Sequence, residues 1–407
     1  MGTSFWTIPP QNIKNLNKHA IIDLIRFTPG GISRVELSRQ MGITRAAVTT
    51  IVNQLQEEKI VNEVEAHFPS GRKPIVLEIN PDKGFVVGID MGATHITMLL
   101  SDFGAHILGE IEIPFDVNQG PQKSMPVLEN GMQELLEKVG VSLSSIQAVG
   151  MGVPGPIIES AGMVMGPPIM AGWDGYPIRE HLETVWNLPV AVGNDAEMGA
   201  IGEWAYGAGR GVRNLAYIKV GTGVGAGFLL DGQIYKGATG CAGEIGHITL
   251  NENGPICTCG NRGCLEAMAG GWAIASRGQE AVNTKARTQL MEINGGRAIT
   301  SADVIEAARQ GDLVAQQIVS EAGGHLGTAI ASLVNLFNPS MLVVGGRISQ
   351  MGDLLLEPIR KAVNQRSLKA ASQNVRITAA LLGRRSSGMG SVVEALSIVL
   401  HRLADHD

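Results

Sequence analysis

Three of the four cysteines fall within eight residues, at Cys257, Cys259 and Cys264, and His247 stands ten residues before the first. Thiolates and an imidazole are the ligands Zn²⁺ prefers, and four of them close a tetrahedral structural site. The short spacings are broken by Gly260 and Gly263, which lets one tight turn aim three sulfurs at a common centre. A set of small buried thiols is the plainer alternative, but a cluster in a chain otherwise nearly free of cysteine argues for the metal. Two carboxylates bracket these ligands. Glu244 lies three residues before His247 and Glu266 two after Cys264, so a metal knot would fix both acids as rigid acceptors for the hydroxyls of a polyol. Solvated surface acids would have the same spacing.

The segments Gly243-Glu244-Ile245-Gly246-His247 and Cys257-Thr258-Cys259-Gly260-Asn261-Arg262-Gly263-Cys264-Leu265-Glu266 resemble the signature of the ROK family (repressors, open reading frames and kinases). The resemblance implies that His247, Cys257, Cys259 and Cys264 hold a structural zinc, with Glu244, His247 and Glu266 around a bound sugar. It also gives meaning to weaker signals elsewhere. Asp90, Gly92 and Thr94 stand where ROK kinases carry a D-x-G-G-T turn facing the ATP phosphates, with a carboxylate for Mg²⁺. Here Ala93 replaces the second glycine, and the basic residue that kinases carry shortly after the threonine is missing, His95-Ile96-Thr97 following instead. Gly221-Thr222-Gly223 resembles the second phosphate loop and Gly345-Gly346 the adenosine turn. Asn194-Asp195 matches the kinase pair in which the aspartate takes the proton of the sugar 6-hydroxyl and the asparagine holds neighbouring hydroxyls. A carboxylate in reach of a hydroxyl suffices for a base, yet repressors of the family keep the same aspartate as a sugar ligand. If the nucleotide site is retained, ATP and Mg²⁺ join zinc as cofactors.

The elements that must position these groups are legible in part. From Gly84 the texture is strand and glycine, with strands expected at 85–90, 95–101 and 107–113, a helix at 121–139 and a buried strand over IQAVGMGVPG. A helix near 177–187 then leads to a strand ending on Asn194-Asp195. LAYIKVGTGVGAGFLLDGQIY repeats the opening pattern of strand, glycine turn, strand and acidic-glycine turn, which points to two related lobes with a cleft between them. Helices are expected over 265–280 and 301–337, strands at 341–346 and 375–381, an irregular exposed loop over 281–300, and a final helix over 389–404 that returns to the first lobe. This order resembles the actin-like, ribonuclease-H-like fold of sugar kinases.

Ahead of the lobes, residues 13–28 carry apolar side chains at helical spacing and end in Pro29-Gly30-Gly31. Ser33-Arg34-Val35-Glu36 is a capping-box pattern opening a short helix. Gly42 suits its C-terminal end, and Thr44 the N-cap of a third helix, RAAVTTIVNQLQEEK. Two helices joined by a short glycine-containing turn form a helix-turn-helix. Two strands around a Pro-Ser-Gly-Arg-Lys-Pro tip would add a wing. From Lys14 to Thr50 six basic residues (Lys14, Lys18, Arg26, Arg34, Arg39 and Arg45) face two acids, a local patch hidden in a chain of net charge −6. Arg34, Thr44, Arg45, Thr49 and Asn53 are the candidates for bases or phosphates, and Arg72 and Lys73 in the wing for the backbone or minor groove. The segment resembles the winged helix of ROK repressors, which ROK kinases lack. A protein-interaction module is the alternative.

The fold class expected is therefore α/β: a winged helix-turn-helix over 1–83, a first lobe over 84–194 with 386–407, and a second, zinc-bearing lobe over 195–385. At 407 residues with 44% apolar and 17% charged side chains, the chain suffices for several cores. It has no apolar run of membrane-spanning length and no signal-peptide pattern at its start, so a cytoplasmic protein is expected, with reduced cysteines. The function expected is a sugar-responsive transcriptional repressor that binds operator DNA and a sugar in the cleft, working as a homodimer or tetramer. An ATP-dependent, glucokinase-like sugar kinase with an appended DNA-binding domain is the alternative. Xylose, glucose and N-acetylglucosamine are among the sugars the resemblance suggests.

Overall fold

The computed structural model describes residues 10–65, 74–158, 160–293 and 295–405. Its centre is a pair of five-stranded sheets of matching order. In the first, Ile107–Pro114, His95–Asp102 and Phe85–Met91 form an antiparallel meander, and Ile146–Val153 and Val190–Asn194 extend it in parallel. In the second, Gln233–Ile234, Val224–Leu230 and Leu215–Val220 are antiparallel, and Met341–Gly345 and Arg376–Ala379 follow in parallel. The repeat expected from the glycine turns is thus a repeat of whole sheets.

Each sheet's last strand leads to a helix that packs on the other sheet. Asp195–Tyr206 follows the first sheet and lies on strands Leu215–Val220 and Val224–Leu230. Ser386–Asp405 follows the second and lies on Phe85–Met91 and Ile146–Val153. The two helices cross each other at glycines. A Cβ at Gly202 would sit 2.1 Å from the Ser386 carbonyl oxygen, and one at Gly390 1.7 Å from that of Met198. This crossing ties the lobes together directly beside the cleft.

Several expectations are refined by the structure. The helix expected over 265–280 is two, Leu265–Ala269 and Gly271–Asn283. That over 301–337 divides into Ser301–Arg309 and Leu313–Phe337 at Gly311, whose φ of 92° ends the first helix before Asp312 caps the second. The 281–300 stretch is not simply an exposed loop: Leu290 and Ile299 are buried in the second lobe's core, and a short helix runs from Leu290 to Ile293. Besides the short helix Lys369–Ser372, two longer helices have no counterpart in the sequence reading. Asp195–Tyr206 is buried on most sides and carries no polar stripe, and Asp353–Arg366 contains Pro358. No helix among the described residues is long and apolar enough to cross a membrane.

The N-terminal module forms as its caps direct. Helix Pro10–Phe27 precedes Arg34–Met41, which opens on the Ser33–Glu36 capping box and closes on Gly42 at φ 66°. Thr44 caps Arg45–Glu57 by accepting from the Ala47 N–H. Strands Val61–Glu65 and Ile75–Ile79 pair antiparallel as the stem of the wing. Its tip, with Arg72 and Lys73, lies outside the described residues. Ile21, Leu37, Val52 and Leu77 of this module share one core with Val86 and Leu99 of the first sheet and Leu396 and Leu400 of the crossing helix.

Candidate functional site

The four proposed metal ligands meet. One donor atom from each of His247, Cys257, Cys259 and Cys264 lies within 4.8 Å of every other. The Cys259 and Cys264 sulfurs are 3.7 Å apart, and the Cys257 sulfur is 3.6 Å from His247 Nδ1. Zinc–sulfur bonds of about 2.3 Å in a tetrahedron would put sulfurs about 3.8 Å apart, so the donor set fits a metal ion such as zinc. The turn depends on its glycines. Gly263 has φ 64°, and a Cβ there would meet the Asn251 carbonyl oxygen at 1.6 Å. With Nδ1 turned to the sulfurs, His247 Nε2 faces Glu244 Oε2 at 3.9 Å.

His247 is also the bridge from this knot to the main cleft, a cavity of about 410 Å³ between the lobes. Glu244, Glu266, Asn194 and Asp195 border it, as do Asp90, Gly92, Thr94, Gly221, Thr222, Gly223 and Gly346. Of the residues assigned to the cleft from sequence, Gly345 alone does not line it; a Cβ there would press on the Tyr217 ring and hydroxyl. Glu266 Oε2 accepts from the Val224 N–H at 3.0 Å, entering a space that only a glycine at 223 leaves open. Burial pushes the Glu244 carboxyl up; Asp195 and Glu266 add to the effect and His247 opposes it. Asn194 is partly committed: its Oδ1 caps the helix through the Ala196 and Glu197 N–H groups, and its Nδ2 donates to the Gly155 carbonyl.

Sequence reasoning missed Lys219. Its Nζ lies 3.0 Å from Asp90 Oδ1, 2.9 Å from Asp195 Oδ2 and 3.0 Å from Ser387 Oγ. The signal was a lone lysine in the apolar run LAYIKV, since an unpaired lysine is almost never buried.

In the N-terminal module Thr44, Arg45, Thr49 and Asn53 lie exposed on one helix. Thr49 Oγ1 donates to the Arg45 carbonyl. Arg34 is engaged within the module: it donates to Glu63, to Asn53 Oδ1 and to Gln56 Oε1, bracing the helices against the wing. Two members of the expected basic patch do not face outward. Lys18 is buried and donates to the Ala404 carbonyl, and buried Arg26 donates to Ser397 Oγ and the Val393 carbonyl. They share the apolar stripe of Ile21, Ile22 and Ile25, so they clamp the module to the crossing helix.

The ROK family model matches residues 86–397. The chain belongs to the ROK family. A xylose repressor of Caldicellulosiruptor bescii is 32% identical over 95% of this chain and 97% of its own length. A solved ROK family transcriptional regulator, a homologue of the Escherichia coli MLC protein, superposes with a TM-score of 0.79 at 25% identity, covering 97% of this chain and 98% of that one. A ROK family glucokinase from Streptomyces griseus, solved with glucose and AMPPNP, superposes with a TM-score of 0.71 at 30% identity, covering 77% of this chain and 99% of that one. The ROK region begins at the first sheet, so the winged module precedes it, whereas the regulators align over nearly the whole chain.

Proposed function

We propose that this ROK protein is a sugar-responsive transcriptional repressor, with the cleft as the sugar site and Arg45–Glu57 as the helix that enters the major groove of operator DNA. One observation carries it: a helix with Thr44, Arg45 and Thr49 outward shares a continuous core with the lobe that borders the cleft. Bases would be met by Arg45, Thr49 and Asn53, and phosphates by Thr44, Arg72 and Lys73, with Arg34 bracing the helix. Asp195, Glu244, His247 and Glu266 would hold sugar hydroxyls beside Asn194, over a structural zinc on His247 and the three cysteines. Xylose is the first candidate effector, from the full-length similarity to a xylose repressor. The domains would divide at about residues 83 and 194, with 386–407 returning to the first lobe. The protein would work in the cytoplasm as a homodimer or tetramer, since one winged helix reads only a short half-site.

The crossing helix is the proposed route of the signal. It starts at Ser386 and Ser387, which line the cleft, and runs 20 residues, about 30 Å, holding Arg26 midway at Val393 and Ser397 and Lys18 near its far end at Ala404. Sugar-driven closure of the lobes would tilt this rod and with it the DNA module.

The test is a band shift on the DNA upstream of the protein's own gene. A specific complex should form without sugar, and xylose, glucose or N-acetylglucosamine should change its affinity. Equal binding to operator and random DNA would remove the repressor reading. A second reading, an ATP-dependent sugar kinase, draws on Asp90, Asp195 and the Gly221–Gly225 loop, all at the cleft. It predicts ATP-dependent phosphorylation of the sugar at about 1–100 per second.

A further inference from the structure

We propose that Lys219 is the resident cation of this cleft: its ammonium takes the place between Asp90 and Asp195 that a divalent ion would need, so sugar enters without a metal–nucleotide complex. The inference deepens the sensor reading above and rests on it.

The Lys219 ammonium is completely paired. An ammonium has three donors. Here they meet Asp90 Oδ1 at 3.0 Å, Asp195 Oδ2 at 2.9 Å and Ser387 Oγ at 3.0 Å. Ser387 in turn donates its own proton to the Asp195 carbonyl oxygen at 2.8 Å. The lysine and both acids are at most 16% exposed. Burial alone would push the Lys219 amine down, but Asp195 and Asp90 outweigh it and hold the group well above its ordinary value, so it is charged at neutral pH.

Mg²⁺ asks for oxygen ligands at about 2.0–2.1 Å in near-octahedral array and sheds its waters reluctantly. Asp90 turns both oxygens to Lys219, at 3.0 and 3.4 Å, and an ion there would face an ammonium within a few ångströms. The residues present therefore do not fit the metal that a D-x-G-G-T turn suggests. Asp195 remains useful to a sugar, because a carboxylate offers about four lone-pair sites and Lys219 takes one of its oxygens. Lys219 comes from the second sheet and Asp90 from the first, so the same contact also latches the lobes beside the crossing helices.

The test uses the zinc-loaded full chain, with Mn²⁺ in place of Mg²⁺ and free Mn²⁺ followed by electron paramagnetic resonance, with and without ADP. Wild type should take up no Mn²⁺ at millimolar concentration. Lys219→Met should bind one Mn²⁺ per chain at least tenfold more tightly, and adding Asp90→Asn should abolish that site. Lys219→Gln, which keeps a donor but loses the charge, should do the same if the methionine variant does not fold. One Mn²⁺ on wild type that disappears in Asp90→Asn would overturn the proposal. So would folded, zinc-replete Lys219 variants that take up no more Mn²⁺ than wild type. No DNA or sugar enters this measurement, so failure here leaves the repressor reading standing, and a failed band shift leaves the cation assignment standing.

Discussion

Two clusters of metal-seeking side chains lie at the same cleft, one reaching it only through His247, and they are balanced in opposite ways. At His247, Cys257, Cys259 and Cys264 the chain supplies only donors, at the edge lengths of a metal tetrahedron and with no lysine or arginine among them. At Asp90 and Asp195 it supplies the cation as well, on Lys219. Acidic or sulfur ligands in a row do not by themselves call for a metal. What decides is whether a side chain from elsewhere in the fold already neutralises them. Further along the crossing helix, buried Arg26 and Lys18 meet backbone carbonyls instead of acids.

The metal side of the comparison carries the largest expected effect. Cys259→Ala should take the protein from one zinc per chain to almost none, measured by metal analysis of freshly purified material. Structural zinc contributes on the order of 10 kcal/mol in small sites, so the 254–264 turn should loosen, and with it Glu244 and Glu266. The sugar response should vanish. A wild-type protein that purifies without zinc, yet still responds to sugar, would erase the contrast between the clusters.

Next comes the internal cation at the DNA end. Arg26→Met removes charged donors from Ser397 Oγ and the Val393 carbonyl in a buried setting. The Val393 carbonyl keeps the Ser397 hydroxyl, so the loss of the two charged hydrogen bonds should cost about 1.5–3 kcal/mol, read as a lower midpoint in urea. If the crossing helix carries the signal, operator binding should persist with a weaker sugar dependence. A change below about 0.5 kcal/mol, within the range of ordinary surface substitutions, would mean that the module sits on the helix without being held by it.

Exposed and cleft residues should each act on one readout alone. Arg45→Ala should weaken operator binding by about 1–3 kcal/mol if it reads a base edge, with sugar affinity unchanged. Asp195→Asn should cost about 1–3 kcal/mol of sugar binding by removing an acceptor, with sugar-free operator affinity nearly unchanged. Crossed effects would mean that the two sites are one cooperative unit even in the absence of effector.

How much of this was legible in the sequence follows from how local each signal is. The capping box at Ser33 and the N-cap at Thr44 are fixed within a few residues and the His247–Cys264 donor cluster within one short segment, and all three form where the sequence puts them. The sheets too follow their apolar runs and glycine turns. What was hidden depends on partners far along the chain. Lys18 and Arg26 read as a basic face because the helix that buries them begins some 360 residues later. Lys219 meets Asp90 across 129 residues, and only the pairing of two sheets brings them together. The helix Asp195–Tyr206 lacks a polar stripe because both lobes cover it.

The smallest effect concerns His95, which occupies the region where ROK kinases carry a basic residue. Burial pushes its imidazole down to about 4, and the charges of Arg347, Lys219 and Arg384 add to the fall. At pH 7 it is neutral, so it does not restore the missing positive charge. The sign of the pH dependence follows. In the unfolded chain a histidine binds a proton near pH 6.5, while in the folded protein it resists until about pH 4. Between those values the unfolded state holds more protons, so stability falls as the pH is lowered. Partial exposure of the ring trims the effect to about 1 kcal/mol. His95→Gln should therefore lose less stability than wild type between pH 7 and pH 4.5, by that amount, in paired urea titrations. Parallel pH profiles for wild type and His95→Gln would show that His95 gains its proton in the folded state too, and the cleft would then hold a second cation beside Lys219.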